Sequence, residues 1–136
     1  LTPDYDVKIC DLGMARFGGA SNGMDRTMTV GTGTPVYMPP EVLLEGQGDA
    51  FQKGRYNAYA WDVYSLGMVL WGVWYKTPPF GDKSLAKIIY EVCYNHARPS
   101  FEMEGSIEGP PPLLFQRLCS DMWAEDPDDR PDIQGA

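Results

Sequence analysis

The pattern of apolar and polar positions predicts a short strand at the start of the chain and helices beyond it. Residues 7–10 (VKIC) form an apolar-rich run that ends in the DLG of residues 11–13, which is typical of a strand followed by a turn. Residues 60–76 (AWDVYSLGMVLWGVWYK) are apolar on nearly every face, and this predicts a central helix buried all round. The pattern therefore indicates a helical domain with one strand at its front edge.

Shorter helices are predicted on both sides of the central one. The first opens at the proline pair 39–40, where a missing backbone N–H is harmless, and stops at Gly46. Another begins behind a cap at Asp82 or Ser84, and the last follows a proline run at 110–112. Apolar residues recur three and four positions apart in both, at Leu85, Ile88, Ile89, Val92 and Cys93 and at Leu114, Phe115, Leu118, Cys119, Met122 and Trp123.

The segment from residue 14 to residue 37 is predicted to be a long loop. It is rich in Gly, Ser, Thr, Met and Asn and shows neither the helical nor the strand period. Loops of this length inside a compact domain are uncommon unless they are functional or disordered. We therefore expect regulation of the protein to act on this loop.

Composition limits the number of domains and the classes of partner. A chain of 136 residues, 43% of them hydrophobic, is long enough for one core and too short for two comfortable domains. Its net charge of −8 argues against nucleic acid or an anionic membrane surface as a partner, because both favour clustered Lys and Arg. A solvated acidic surface is the simpler interpretation of that charge.

The three cysteines, Cys10, Cys93 and Cys119, lie far apart and form no Cys-x-x-Cys pair. With a single histidine in the chain, this spacing disfavours a zinc site or a disulfide framework. It favours a reducing compartment, so we expect a cytoplasmic location. The longest apolar run, residues 63–75, falls short of the roughly 18 residues expected of a membrane span, so none is predicted.

Glu41 stands directly behind the proline pair and opens the apolar turn VLL of residues 42–44, which is expected to be buried. A carboxylate taken out of water is costly unless it is paired. The sequence therefore predicts a partner for Glu41 elsewhere in the chain.

No single motif of the chain is specific, but the order of its motifs is. They are DLG after a strand, a Ser/Thr/Gly loop, GTPVYMPPE at 33–41, DVYSLG at 62–67, PPFGD at 78–82 and MWAEDPDDRP at 122–131. From about residue 7 to residue 131, this succession resembles the C-terminal lobe of eukaryotic protein kinases. The resemblance implies an α+β protein kinase fold, in which residues 1–136 are a partial domain, the mainly helical C-terminal lobe with a short strand at its start.

The resemblance also implies an activity, the transfer of the γ-phosphate of ATP to Ser or Thr of protein substrates, with ATP and Mg²⁺ as cofactors. Asp11 matches the aspartate that holds Mg²⁺ against the nucleotide phosphates. Asp62 matches the central-helix aspartate that orients the catalytic loop, although an acid in such a helix is more often a satisfied buried group. Glu41 and Arg130 match a structural ion pair that clamps the end of the loop to the helical core.

Thr34 bears on the choice of substrate. It matches a threonine whose hydroxyl contacts the catalytic Asp and Lys in Ser/Thr kinases, which favours Ser/Thr over Tyr specificity. The closing MW, DP and RP pattern is similar to that of tyrosine kinases and of the tyrosine-kinase-like Ser/Thr group, and we prefer the latter placement.

Hydroxyl side chains in the long loop are candidate sites of activating phosphorylation, since added phosphate charge can order such a loop. Thr29 or Thr32 is the hypothetical activating site, because both lie close before Thr34. A merely solvated polar loop would have the same sequence. The further candidates are Ser21 and Thr27.

Other parts of the kinase pattern are missing from these 136 residues. No Gly-rich loop precedes a strand Lys, and no His-Arg-Asp catalytic loop is present, since the only histidine is His96 beside Ala97. The catalytic base is therefore not in this chain. We interpret the chain as a fragment of a longer kinase, inactive alone and exposing apolar surface; the alternative is a pseudokinase that serves as a protein-binding scaffold.

Overall fold

The computed structural model describes residues 7–10, 34–45, 58–81, 83–102 and 109–132, and within these ranges all the regular secondary structure is helical. None of the helices in these ranges is long and apolar enough to cross a membrane. The elements in chain order are a 3₁₀ turn at Pro35–Tyr37, α1 at Pro40–Glu45, α2 at Ala58–Tyr75, α3 at Leu85–Ile89, a π-helical turn at Tyr90–Tyr94, α4 at Leu113–Met122 and a 3₁₀ turn at Pro127–Asp129.

The strand predicted at residues 7–10 is wrong, because these residues have no regular secondary structure. The side chains of Val7 and Ile9 are 84% and 88% exposed. No strand lies among the other described residues to pair with them. A lone strand leaves its backbone hydrogen-bonding groups to water and gains nothing over an irregular chain.

One face of α2 forms the centre of the larger core cluster. This inner face consists of Tyr64, Met68, Trp71 and Tyr75, which are three or four residues apart and therefore lie on one side of the helix. Cys119 of α4 and the following Trp123 complete the cluster. Contact between the two helices is close at Gly67, where an added Cβ would lie 3.0 Å from the Cβ of Met122.

The opposite face of α2 is exposed, so the prediction of a helix buried all round is wrong. This outer face consists of Asp62, Leu66, Val69 and Val73. The apolar stripe of α4 departs from its prediction in the same way, since Leu114 and Leu118 are exposed, and so is Leu85 at the start of α3. An apolar pattern identifies residues that avoid water, but it does not identify the segment that covers them.

A second, smaller cluster joins α1 to α3 and the π-helical turn. Its buried members are Leu43, Ile88, Val92 and Cys93, as the stripe at three- and four-residue spacing predicts for the last three. Val36, Met38 and Leu44 pack against this cluster, whereas Tyr37 packs against the larger one. The segment that precedes α1 therefore lies between the two clusters.

Candidate functional site

Several residues predicted to carry chemistry lie outside the described part of the chain. They are Asp11, the predicted Mg²⁺ ligand, and the phosphorylation candidates Ser21, Thr27, Thr29 and Thr32. Their roles stay predictions. Among the described residues, no group of three or more His, Cys, Asp or Glu is placed to hold a metal ion.

Thr34 lies at the exposed start of the segment of residues 34–40. Its carbonyl accepts a hydrogen bond of 3.1 Å from the backbone N–H of Tyr37, and this bond closes the 3₁₀ turn. Pro35 suits the first position of the turn because its fixed φ is already near the helical value. The hydroxyl of Thr34 makes no capping hydrogen bond to the turn, and the residue is exposed.

The segment of residues 34–40 is attached to the helices behind it at more than one point. The hydroxyl of Ser65 on α2 donates a hydrogen bond of 2.9 Å to the carbonyl of Tyr37. The thiol of Cys93 donates to the carbonyl of Pro40 over 3.8 Å. Burial raises the pKa of that thiol to about 11, so it keeps its proton at neutral pH and remains a donor.

Glu41 and Arg130 form a bidentate ion pair, hereafter the clamp. Nη1 of Arg130 lies 2.7 Å from Oε1 of Glu41, and Nη2 lies 3.0 Å from Oε2. The structure thus brings together two side chains 89 positions apart that the sequence predicts to be partners. The arginine side chain is fully buried, whereas the side chain of Glu41 keeps 30% of its exposure.

Arg130 uses its remaining donors on backbone carbonyls. Nε donates to the carbonyl of Ala124 over 3.0 Å, and Nη1 donates to that of Ala60 over 3.1 Å. Nη2 makes a longer contact of 3.5 Å with the carbonyl of Glu125. Because a guanidinium has five N–H donors, this arrangement satisfies the buried cation fully. The clamp therefore ties α1 to the start of α2 and to the turn that follows α4.

Asp62 is exposed on the outer face of α2, so it is not the satisfied buried group that is usual for an acid in an apolar helix. Its predicted role, orienting a catalytic loop, requires a segment that the described residues do not include. That role stays a prediction.

Sequence reasoning missed a second arginine beside the clamp. The guanidinium carbons of Arg98 and Arg130 lie 5.3 Å and 5.0 Å from the ring centroid of Tyr64. Burial raises the pKa of the Tyr64 hydroxyl to about 12, although both arginines act to lower it. A signal was present, because each arginine precedes a proline, which favours an extended backbone at the arginine.

Comparison with known proteins places this sequence in a family. The sequence profile described as "Protein kinase domain" matches residues 1–136. Receptor-interacting serine/threonine-protein kinase 4 of Homo sapiens is 36% identical over 138 residues, which cover 99% of this chain and 15% of the relative.

Two further relatives have the same character. Receptor-interacting serine/threonine-protein kinase 2 of Bos taurus is 31% identical over 134 residues, covering 96% of this chain and 24% of the relative. Dual specificity protein kinase shkA of Dictyostelium discoideum is 29% identical over 130 residues, covering 95% and 22%. The chain therefore spans less than a quarter of the length of these relatives.

Proposed function

The chain belongs to the protein kinase domain family, and from that premise we propose that it is the C-terminal-lobe part of a kinase that phosphorylates Ser or Thr of proteins with ATP. The clamp carries this proposal, because it fixes the end of residues 34–40 against the helical core while Thr34 stays exposed. An exposed hydroxyl on a rigidly held segment suits the role that the resemblance gives Thr34, which is contact with the catalytic Asp and Lys of a Ser/Thr kinase. The names of the serine/threonine kinases among the relatives support the same choice of acceptor.

Asp11 is the proposed ligand for Mg²⁺. A single carboxylate suits this ion, which is usually bound through one or two carboxylates together with substrate phosphates and water. Bound Mg²⁺ would offset charge on the ATP phosphates during transfer. The described part of the chain contributes by holding residues 34–40, hereafter the substrate segment, and by tying this segment to α2.

The exposed apolar surface supports the proposal that this chain is part of a larger kinase domain of α+β class. We propose that the outer face of α2, together with Leu114 and Leu118 of α4, contacts the rest of that domain. On this proposal the 136-residue chain alone transfers no phosphate. A cytoplasmic location is part of the proposal, since Cys10, Cys93 and Cys119 are all free thiols.

A phosphorylation assay on the full-length protein tests the activity. The protein is incubated with labelled ATP, Mg²⁺ and a panel of protein substrates, and the phosphorylated amino acids are identified after hydrolysis. We expect label on Ser and Thr, and its loss in Asp11→Asn. Arg117→Met is the control for a change of surface charge, because Arg117 is exposed on α4 and lies outside the clamp.

The other outcomes are equally informative. Label on Tyr alone would overturn the proposed specificity. A folded protein that binds partners but never turns over ATP would instead favour the pseudokinase function. Phosphate transfer by the isolated 136-residue chain would contradict its interpretation as a part of the domain.

A further inference from the structure

We propose that Arg98 is a positioning residue for the clamp. It lies in the segment that follows the π-helical turn, and it touches neither Glu41 nor residues 34–40 through any polar contact in the described part of the chain. Its role is to fix the turn at residues 123–125, whose carbonyls hold Arg130. The consequence for activity rests on the proposed kinase function, whereas the structural consequence does not.

The turn at residues 123–125 follows the end of α4, so its carbonyls lie beyond the helical hydrogen-bond pattern and need other donors. Two arginines satisfy these carbonyls in succession. Nε of Arg98 donates to the carbonyl of Trp123 over 2.9 Å, whereas Arg130 takes those of Ala124 and Glu125. Cations are favoured there because the carbonyl end of a helix carries partial negative charge.

Arg98 is also tied to the side chain of the same turn. Its Nη2 lies 2.7 Å from Oε2 of Glu125, and its side chain keeps only 14% of its exposure. The other oxygen of Glu125 lies 3.1 Å from Nδ1 of His96. Arg98 thus holds the turn through its backbone and through its acid, so a displaced Arg98 would remove two of the contacts that fix the turn.

Tyr64 transmits the position of one arginine to the other. Its ring is fully buried on the inner face of α2, and both guanidinium groups lie within cation–π distance of it. Arg98 and Arg130 therefore share a carbonyl turn and an aromatic ring. Two shared contacts make the geometry of the clamp depend on Arg98 even though the two arginines form no bond with each other.

A double-mutant cycle in the full-length protein tests whether the geometry of the clamp depends on Arg98. The unfolding equilibrium constant is measured by denaturant titration for wild type, Arg98→Met, Glu41→Gln and the double variant. If Arg98 positions the clamp, Arg98→Met should increase the unfolding equilibrium constant about 5-fold less in the Glu41→Gln background than in wild type. The reason is that substitutions within one network of contacts are non-additive. Arg117→Met, combined with Glu41→Gln in the same way, is the control and should be additive.

Two more variants make the result decisive. Arg98→Lys keeps the charge but lacks the planar fork. We therefore expect its coupling to Glu41→Gln to be smaller than the coupling of Arg98→Met to Glu41→Gln. Glu125→Gln is milder and replaces Arg98→Met in the cycle if the latter does not fold. Effects of Arg98 and Glu125 that are both additive with Glu41→Gln would overturn the proposal, because Arg98 would then stabilise the fold only locally.

A kinetic measurement separates this proposal from the proposed function. In the full-length protein we expect Arg98→Met to raise KM for the protein substrate several-fold and to leave KM for ATP unchanged, since the clamp supports the substrate segment. An equal rise in both constants would contradict a local positioning role. If wild type transfers no phosphate at all, the proposed function fails, and the double-mutant cycle still decides the role of Arg98.

Discussion

The two faces of α2 are made of similar residues and have opposite surroundings. On the inner face, Tyr64 and Met68 are fully buried against α4 and the turn after it. On the outer face, Leu66 and Val69 are apolar as well, yet they remain 46% and 42% exposed. Because Leu66 and Val69 are apolar like the residues of the inner face, their exposure reflects which segments of the chain cover each face.

This difference shows which contacts of α2 form within the described residues and which predicted contacts do not. The contacts that form the clamp and the inner-face cluster all join residues that the structure describes. The outer face carries Asp62, whose predicted role also depends on a partner segment. Buried apolar residues on α2 therefore mark what the chain stabilises by itself, whereas the exposed ones mark the surface that we propose contacts the rest of the kinase domain.

The largest expected effect comes from cutting a cavity into the inner face. Met68→Ala should lower the free energy of unfolding by about 2–5 kcal/mol, because it removes a fully buried side chain from a packed cluster. In the isolated 136-residue chain, Leu66→Ala, two positions earlier on the outer face, should change it by no more than about 0.5 kcal/mol. Denaturant unfolding of both variants measures the difference, and similar losses would show that the outer face is covered in solution.

A feature of the fold or of the site could be predicted from the sequence where the partner of a residue has its own sequence pattern. The helices follow from apolar spacing and prolines, and the partnership of Glu41 with Arg130 follows from the costly burial of an acid together with the family resemblance. The exposure of Asp62 and the failure of the strand at residues 7–10 were not predictable, because both depend on which neighbours are present. Arg98 was missed because its partners are mainly backbone carbonyls, which every residue has.

The clamp, whose arginine lies over the ring of Tyr64 on the inner face, provides the next test. Arg130→Met should cost about 2–3 kcal/mol, somewhat below the usual loss for a buried pair, because Glu41 keeps 30% of its exposure and can be rehydrated. Thermal or denaturant unfolding measures the loss, with Arg117→Met as the control for removing an exposed arginine. Equal effects of the two substitutions would mean that the clamp adds nothing to stability.

Two tyrosines of the inner face sharpen the comparison further. Tyr75 donates a hydrogen bond of 2.6 Å to the carbonyl of Phe101, so Tyr75→Phe should cost about 0.5–1.5 kcal/mol. The buried hydroxyl of Tyr64 has no hydrogen-bond partner among the described residues. Tyr64→Phe should therefore leave stability unchanged or raise it, since it removes an unsatisfied polar group and keeps the ring between the two arginines. A large loss in Tyr64→Phe would reveal a bound water or another partner for that hydroxyl.

The smallest perturbation uses the thiols as reporters of burial. Cys10 is exposed, whereas Cys93 and Cys119 are buried in the two clusters. Burial raises the pKa of each buried thiol from its ordinary value of 9.0 to about 11, so both hold little reactive thiolate at pH 8. A thiol reagent at that pH should label Cys10 rapidly and the other two only on unfolding, and Cys10→Ser should remove the rapid phase.

The same thiols predict how stability depends on alkaline pH. Their raised pKa means that the folded state keeps protons that the unfolded state has already released between pH 9 and about 11. The contribution of these thiols to stability should therefore be constant well below pH 9 and should fall as the pH rises towards 11. Cys119→Ala tests the slope: denaturant unfolding at several pH values should give a shallower decline than wild type, even though the variant starts from a lower stability. An unchanged slope would mean that Cys119 is reached by water, and the inner face of α2 would then be less closed than its packing against α4 indicates.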